Sequence, residues 1–152
     1  MRFLLDTNLL LRLADQSHVM HGDALAAIVW LDDHGHAGVI VPQVLYEYWV
    51  VATRPLENNG LGMNANLADQ AIEHWTIAFR LLLDERGVFG LWRGLVTSNH
   101  VKGKTARDAR LLAAMQRHGV TNLLTFNKAD FIRFGGITVF SPAEVRAGQI
   151  PS

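Results

Sequence analysis

Short apolar runs alternate along this chain with longer stretches whose apolar residues recur every three or four positions. FLLD (3–6) is an apolar run ending in an acid, which predicts a buried parallel strand. TNLLLRLAD follows as a helix. The stretch His21–Asp33 predicts a second helix with Leu25, Ile28 and Val29 on one face, stopped at Gly35. AGVIV (37–41) predicts a strand, and Pro42 then opens a third helix, PQVLYEYWVVATR. LENNGLGMN (56–64) has the composition of a surface turn. Ala68, Ala71, Ile72, Trp75, Ala78, Phe79 and Leu82 mark the clearest helix.

After the DERG turn, VFGL (88–91) predicts a short strand and LWRGLVTSN a short helix. Thr105–His118 predicts a helix with Leu111, Leu112 and Met115 inward, closed by Gly119. TNLLTF (121–126) and GITVF (136–140) read as strands separated by the short helix KADFIRF, and SPAEVRAG starts a C-terminal helix. Strands alternating with helices predict a parallel sheet covered on both faces. Such sheets bind ligands beyond the carboxyl ends of their strands.

Composition bounds the function classes. The 152 residues are 49% hydrophobic and 18% charged, enough for one packed core and too apolar for disorder. No apolar run approaches the roughly 20 residues of a bilayer span, and the acid at position 6 interrupts any secretory signal. A soluble, cytoplasmic protein without membrane association is the expectation. The absence of cysteine excludes disulfides, thiolate zinc sites and a cysteine nucleophile. The net charge of zero conceals an asymmetry: residues 1–85 hold 11 acids and 4 basic residues, whereas residues 86–152 hold 3 acids and 10 basic ones. The second half is therefore a candidate basic surface, and its acids Asp108, Asp130 and Glu144 stand out.

Four elements carry acids or amides toward one edge of the expected sheet. Asp6 closes the first strand. On the Pro42 helix, Gln43, Glu47 and Arg54 fall within about 40° of one another at 100° per residue, a polar stripe on an apolar helix. Asp108 lies in the first turn of the Thr105 helix, and Asn127 and Asp130 follow the TNLLTF strand. Capping is the competing explanation: Asp6 can cap the next helix, Thr105–Asp108 matches a capping box, and Asn127–Asp130 repeats it. Glu47 has no capping role; its alternative is a simple pair with Arg54. Clustered carboxylates repel unless a cation neutralises them, and oxygen ligands without Cys or a compact His set select Mg²⁺ or Mn²⁺.

These residues resemble PIN-domain ribonucleases, most closely the VapC-type toxins of prokaryotic toxin–antitoxin modules. FLLDTNLLL resembles the opening motif, with Asp6 as the first metal acid and Thr7 and Asn8 as supporting polar residues. VPQVLYEYWVVATR resembles the second motif and supplies Glu47; TARDARLLAAMQRHGVTNLLTFNKADF resembles the third and fourth, matching Asp108, Thr125, Asn127 and Asp130. Arg107 stands where the family often has His, and either Asn127 or Asp130 can complete the site. The resemblance implies a PIN-like three-layer α/β/α sandwich with a central, mostly parallel five-stranded sheet, residues 1–152 forming a single domain. It further implies a Mg²⁺- or Mn²⁺-dependent endoribonuclease that hydrolyses RNA phosphodiester bonds with metal-activated water. Asp6, Glu47, Asp108 and Asp130 would be its catalytic and metal residues, a cognate antitoxin its inhibitor, and a homodimer its assembly.

Lys102, Lys104, Arg107 and Arg110 crowd around Asp108 as candidate phosphate contacts, or as an ordinary solvated face. The His18/His21 and His34/His36 pairs read as exposed turn residues, His100 and His118 as surface or cap residues, and the four tryptophans as core. Two other classes compete: a PIN-like RNA- or protein-binding module without catalysis, and a phosphoaspartyl enzyme with Asp6 as nucleophile. The latter usually needs a second Asp where this chain has Asn8.

Overall fold

A computed structural model describes residues 1–150; Pro151 and Ser152, the end of the expected domain, lie outside the described residues. Five strands, β1 (Arg2–Leu5), β2 (Ala37–Ile40), β3 (Arg80–Leu81), β4 (Asn122–Leu124) and β5 (Thr138–Phe140), form one sheet in the order β3-β2-β1-β4-β5. Every pairing is parallel, with Leu4 opposite Val39 on one side and Leu123 on the other. The helices are α1 (Thr7–Ala14), α2 (His21–Asp33), α3 (Pro42–Ala52), α4 (Ala65–Ala78), α5 (Val88–Ser98), α6 (Thr105–His118) and α7 (Pro142–Arg146). The sheet and its helices form a PIN-like α/β/α sandwich. Among the described residues no helix is long and apolar enough to cross a membrane.

The short strands are apolar on both faces because helices cover both. Phe3, Leu4, Leu5, Val39, Ile40, Leu123 and Leu124 are all buried. On α6, Leu111, Leu112 and Met115 point inward and Gly119 ends the helix at φ 66°, as the periodicity predicts. Pro42 takes the first turn of α3, whose buried face runs through Val44, Leu45, Tyr48 and Ala52.

The third strand is not where the apolar pattern places it. The α4 helix ends at Ala78, Phe79 turns extended (φ −129°, ψ 142°), and Arg80–Leu81 pair with Val39–Ile40. The open edge of β2 thus overrides the helical periodicity that continues to Leu82. VFGL, expected as a strand, instead opens α5, which packs along α6 after a turn at Gly87 (φ 95°). On α2 the inward face is Ala24, Ala27 and Leu31, while Leu25 and Val29 are about half exposed. Small alanines there let α2 lie close against its neighbours α1 and α7. Helix α6 has no side-chain cap. Its first amides bond to the carbonyls of Gly103 and Lys104, so Thr105 and Asp108 are left out of the expected capping box. Asn127 likewise caps nothing with its side chain.

Candidate active site

The sheet order reverses at β1: the chain leaves β1 for β2 on one side and returns to β4 on the other. At such a switch point the loops beyond two neighbouring strand ends separate and leave a crevice. Asp6 directly follows β1, and Thr125 directly follows β4. An open cleft of about 410 Å³ lies there, lined by Asp6, Asn8, Glu47, Arg54, Lys104, Arg107, Asp108, Asn127 and Asp130.

Asp6 does two jobs. It is the N-cap of α1, accepting from the Thr7 amide at 2.8 Å through Oδ1. Its Oδ2 accepts from the Thr125 hydroxyl at 2.7 Å and, at 3.4 Å, from the Asn8 amide. Asn8 also donates to Thr125 Oγ1 at 3.2 Å, and Thr125 Oγ1 accepts from the Asn127 backbone amide at 3.0 Å. Thr7, Asn8 and Thr125, the expected supporting polar residues, therefore form one network around Asp6. Thr7 also reaches across to α3, donating from its hydroxyl to Glu47 Oε2 at 3.0 Å. Glu47 Oε1 accepts from Gln43 at 3.2 Å. No Glu47–Arg54 ion pair forms among the described residues; Arg54 instead lines the cleft separately.

Asp6 and Asp108 feel both their burial and the neighbouring carboxylates. Burial raises the pKa of Asp6; the hydrogen bonds from Thr125 and Thr7 oppose the shift, while Glu47 and Asp130 add to it. Asp108 is pushed up to about 6, first by burial and then by Asp130, Asp6 and Glu47, with Arg107 pulling the other way. Among the described residues no three His, Cys, Asp or Glu side chains lie close enough together to hold a metal ion as they stand. An open, oxygen-only donor set whose charges oppose one another fits a hard divalent cation that keeps much of its water, rather than a tightly enclosed one. Asp6, Glu47, Asp108 and Asp130 are the carboxylates that line the cleft.

Both fourth-ligand candidates, Asn127 and Asp130, reach the cleft and both are exposed. Of the four clustered cations, Lys104 and Arg107 line it and Lys102 does not. Arg110 is engaged elsewhere, donating to Gln43 Oε1 at 3.0 Å and pairing with Asp84 at 3.3 Å. Two members of the polar stripe take parts in the cleft that the sequence pattern does not specify. Arg54 lies just past the end of α3 and lines the cleft; the 56–64 loop folds back on its backbone, where a side chain at Gly60 would come within 1.9 Å of the Arg54 carbonyl. Gln43, read only as part of a polar stripe, joins α3 to α6. The i, i+4 spacing from Glu47 is its one visible signal.

No protein-family model matches the sequence, and no curated protein is significantly similar to it. Solved structures are similar in fold. VapBC2 from Rickettsia felis, bound to a DNA fragment from its promoter, superposes with a TM-score of 0.70 at 13% identity over 93% of this chain and 98% of that one. A toxin–antitoxin complex from Klebsiella pneumoniae gives 0.63 at 22% identity, covering 92% and 97%. VapC20 from Mycobacterium tuberculosis, described as a Sarcin-Ricin loop cleaving toxin, gives 0.61 at 19% identity, covering 87% and 98%. The described chain therefore carries the PIN-like fold that these VapC-type toxin structures share.

Proposed function

We propose that the protein is a metal-dependent endoribonuclease acting as the toxin of a toxin–antitoxin pair. The observation that carries this reading is the meeting of Asp6, Glu47, Asp108 and Asp130 in one cleft at the sheet's switch point, beneath a rim of Arg54, Lys104 and Arg107. Acids at the floor and cations at the rim suit a phosphodiester whose reacting phosphate lies over a divalent ion and whose flanking phosphates lie on basic side chains.

A bound Mg²⁺ or Mn²⁺ would acidify water and offset the charge that builds up on the reacting phosphate. The rest is the work of the chain. Asp6 and Asp108 would hold the ion from β1 and α6, with Glu47 and Asp130 completing the oxygen set. Thr7, Asn8 and Thr125 keep Asp6 and Glu47 in place through the bonds described above. Lys104 and Arg107 would bind RNA phosphates on either side of the cut. A catalytically silent binding module would gain nothing from four mutually repelling carboxylates, so the enzymatic reading is preferred.

The neighbours include complexes of a toxin with its antitoxin, which supports a protein inhibitor as partner. Such a partner would cover the cleft and could place a basic side chain among Asp6, Glu47 and Asp108 in place of the cation. A homodimer is proposed on the sequence resemblance alone. The test is RNA cleavage with Mg²⁺ or Mn²⁺ by the wild-type chain and by Asp6→Asn and Asp108→Asn. Each variant conserves size while removing charge, and each should lose cleavage with the fold intact. Wild-type activity in either one would refute the assignment.

A further inference from the structure

Gln43 is a buried polar side chain, 7% exposed, on the first turn of α3. Its Nε2 donates to Glu47 Oε1 at 3.2 Å and to the Arg107 carbonyl at 2.8 Å; its Oε1 accepts from Arg110 Nη1 at 3.0 Å. The chemistry of these partners allows only one orientation of the amide. A carboxylate and a carbonyl only accept, and a guanidinium only donates. Turning the amide over would set oxygen against oxygen on one side and N–H against N–H on the other.

Arg110 is held in turn by Asp84 on the segment after β3. The chain Asp84–Arg110–Gln43–Glu47–Thr7 thus runs from the edge of the sheet to the cleft floor, every link a hydrogen bond with a defined donor. At its centre Gln43 bonds both to a cleft acid and to the residue immediately before another, Asp108.

We propose that Gln43 is a positioning residue that holds the Glu47 carboxylate and the first turn of α6 in register, with Arg110 setting the direction of its amide. The proposal rests on the metal-site reading above. With Gln43 on one oxygen and Thr7 on the other, Glu47 is confined to a single rotamer before any ligand arrives. The Asp108 turn is held against α3 by the same amide. A cation then meets acids already in place, and less side-chain freedom is lost on binding. Partners that orient ligating groups in this way typically alter metal affinity by about 10- to 100-fold when removed. Arg110 is accordingly assigned a positioning role through Gln43 rather than a contact with RNA.

The experiment titrates Mn²⁺ into the full chain by calorimetry, alongside cleavage kinetics and thermal unfolding. Gln43→Leu keeps the volume and deletes every bond. It should weaken Mn²⁺ binding about 10-fold and raise the metal concentration needed for half-maximal cleavage by the same factor. Arg110→Met should show a smaller loss of the same kind. The double variant should bind Mn²⁺ no more weakly than Gln43→Leu alone, because Arg110 acts only through the amide. Affinity within twofold of wild type in Gln43→Leu, or additive losses in the double variant, overturns the proposal. If Gln43→Leu does not fold, the single Arg110→Met variant decides on the same criterion. If the wild-type chain binds no Mn²⁺, the metal-site reading fails and hydrogen exchange over residues 104–111 decides on Gln43 itself. Faster exchange in Gln43→Leu supports its hold on the α6 turn, and unchanged exchange removes it.

Discussion

The Thr125 hydroxyl donates to the Asp6 carboxylate at 2.7 Å, joining residues that follow two adjacent parallel strands and lie 119 positions apart in the chain. One short bond thus ties the cleft floor to the centre of the sheet. Thr125→Val keeps the shape and removes the donor. It leaves a buried carboxylate oxygen with only a long bond from Asn8, and should cost about 1–3 kcal/mol of stability in chemical denaturation. Cleavage should fall as well. Unchanged stability would mean that water replaces the hydroxyl without loss.

The pH dependence of stability follows from Asp108. Its pKa in the fold is about 6, above the ordinary carboxylate value of 3.8 that applies when the chain unfolds. Between these values the folded protein binds the extra proton, so this group's stabilising contribution is complete below about pH 4 and lost as pH rises through 6. Asp6, also raised, contributes with the same sign. Without metal, Asp108→Asn should therefore be more stable than wild type at pH 7.5, by about 1 kcal/mol after allowance for solvent screening at a half-buried group. Denaturant titrations at pH 4.5 and 7.5 check this, and an equal difference at both pH values would count against it. Added Mn²⁺ should narrow the gap by stabilising the wild type.

Much of this arrangement is legible in the chain itself. The run Phe3–Asp6 and the motif around Asp108 read directly because their signals are local: a strand ending in an acid, and an amphipathic helix opening with one. Arg80–Leu81 could not be read this way. Two residues make no pattern, and their strand exists only because β2 offers an unpaired edge. The partners of Arg110 are hidden for a related reason. It lies two residues from Asp108 in sequence, but about 160° around the helix, which turns it toward Gln43 and Asp84. Bonds such as Thr125 to Asp6 leave no trace in spacing, since topology alone brings them together.

Asp130→Asn should weaken Mn²⁺ binding more than Asn127→Ala. Both side chains reach the cleft, but only Asp130 carries a charge that offsets a divalent ion, and its field already raises Asp6 and Asp108. Calorimetric titration of the two variants compares them. The reverse order would make Asn127 the fourth ligand.

The basic residues should divide by position. Lys104→Ala and Arg107→Ala should each flatten the dependence of RNA binding on salt, by about 0.7 in the log–log slope per lost contact to a single strand. Arg110→Met should leave the slope unchanged, because that guanidinium is committed to Gln43 and Asp84. Filter binding at several salt concentrations separates the two outcomes. A flattened slope for Arg110→Met would return it to the phosphate surface.

The central place of β1 has a consequence for synthesis. The strand is made before every other strand of its sheet, yet its second neighbour is β4, made only after α6 is complete. Until then one edge of β1 has no partner, and Asp6 lacks the Thr125 hydroxyl. Contacts of such long sequence separation form late, after the cost of closing the intervening loop has been met. A growing chain therefore carries Asp6, Glu47 and Asp108 before it has the strand that completes the network around Asp6. Translation order acts as a built-in delay: the bond that fixes Asp6 waits until β4 emerges and pairs with β1.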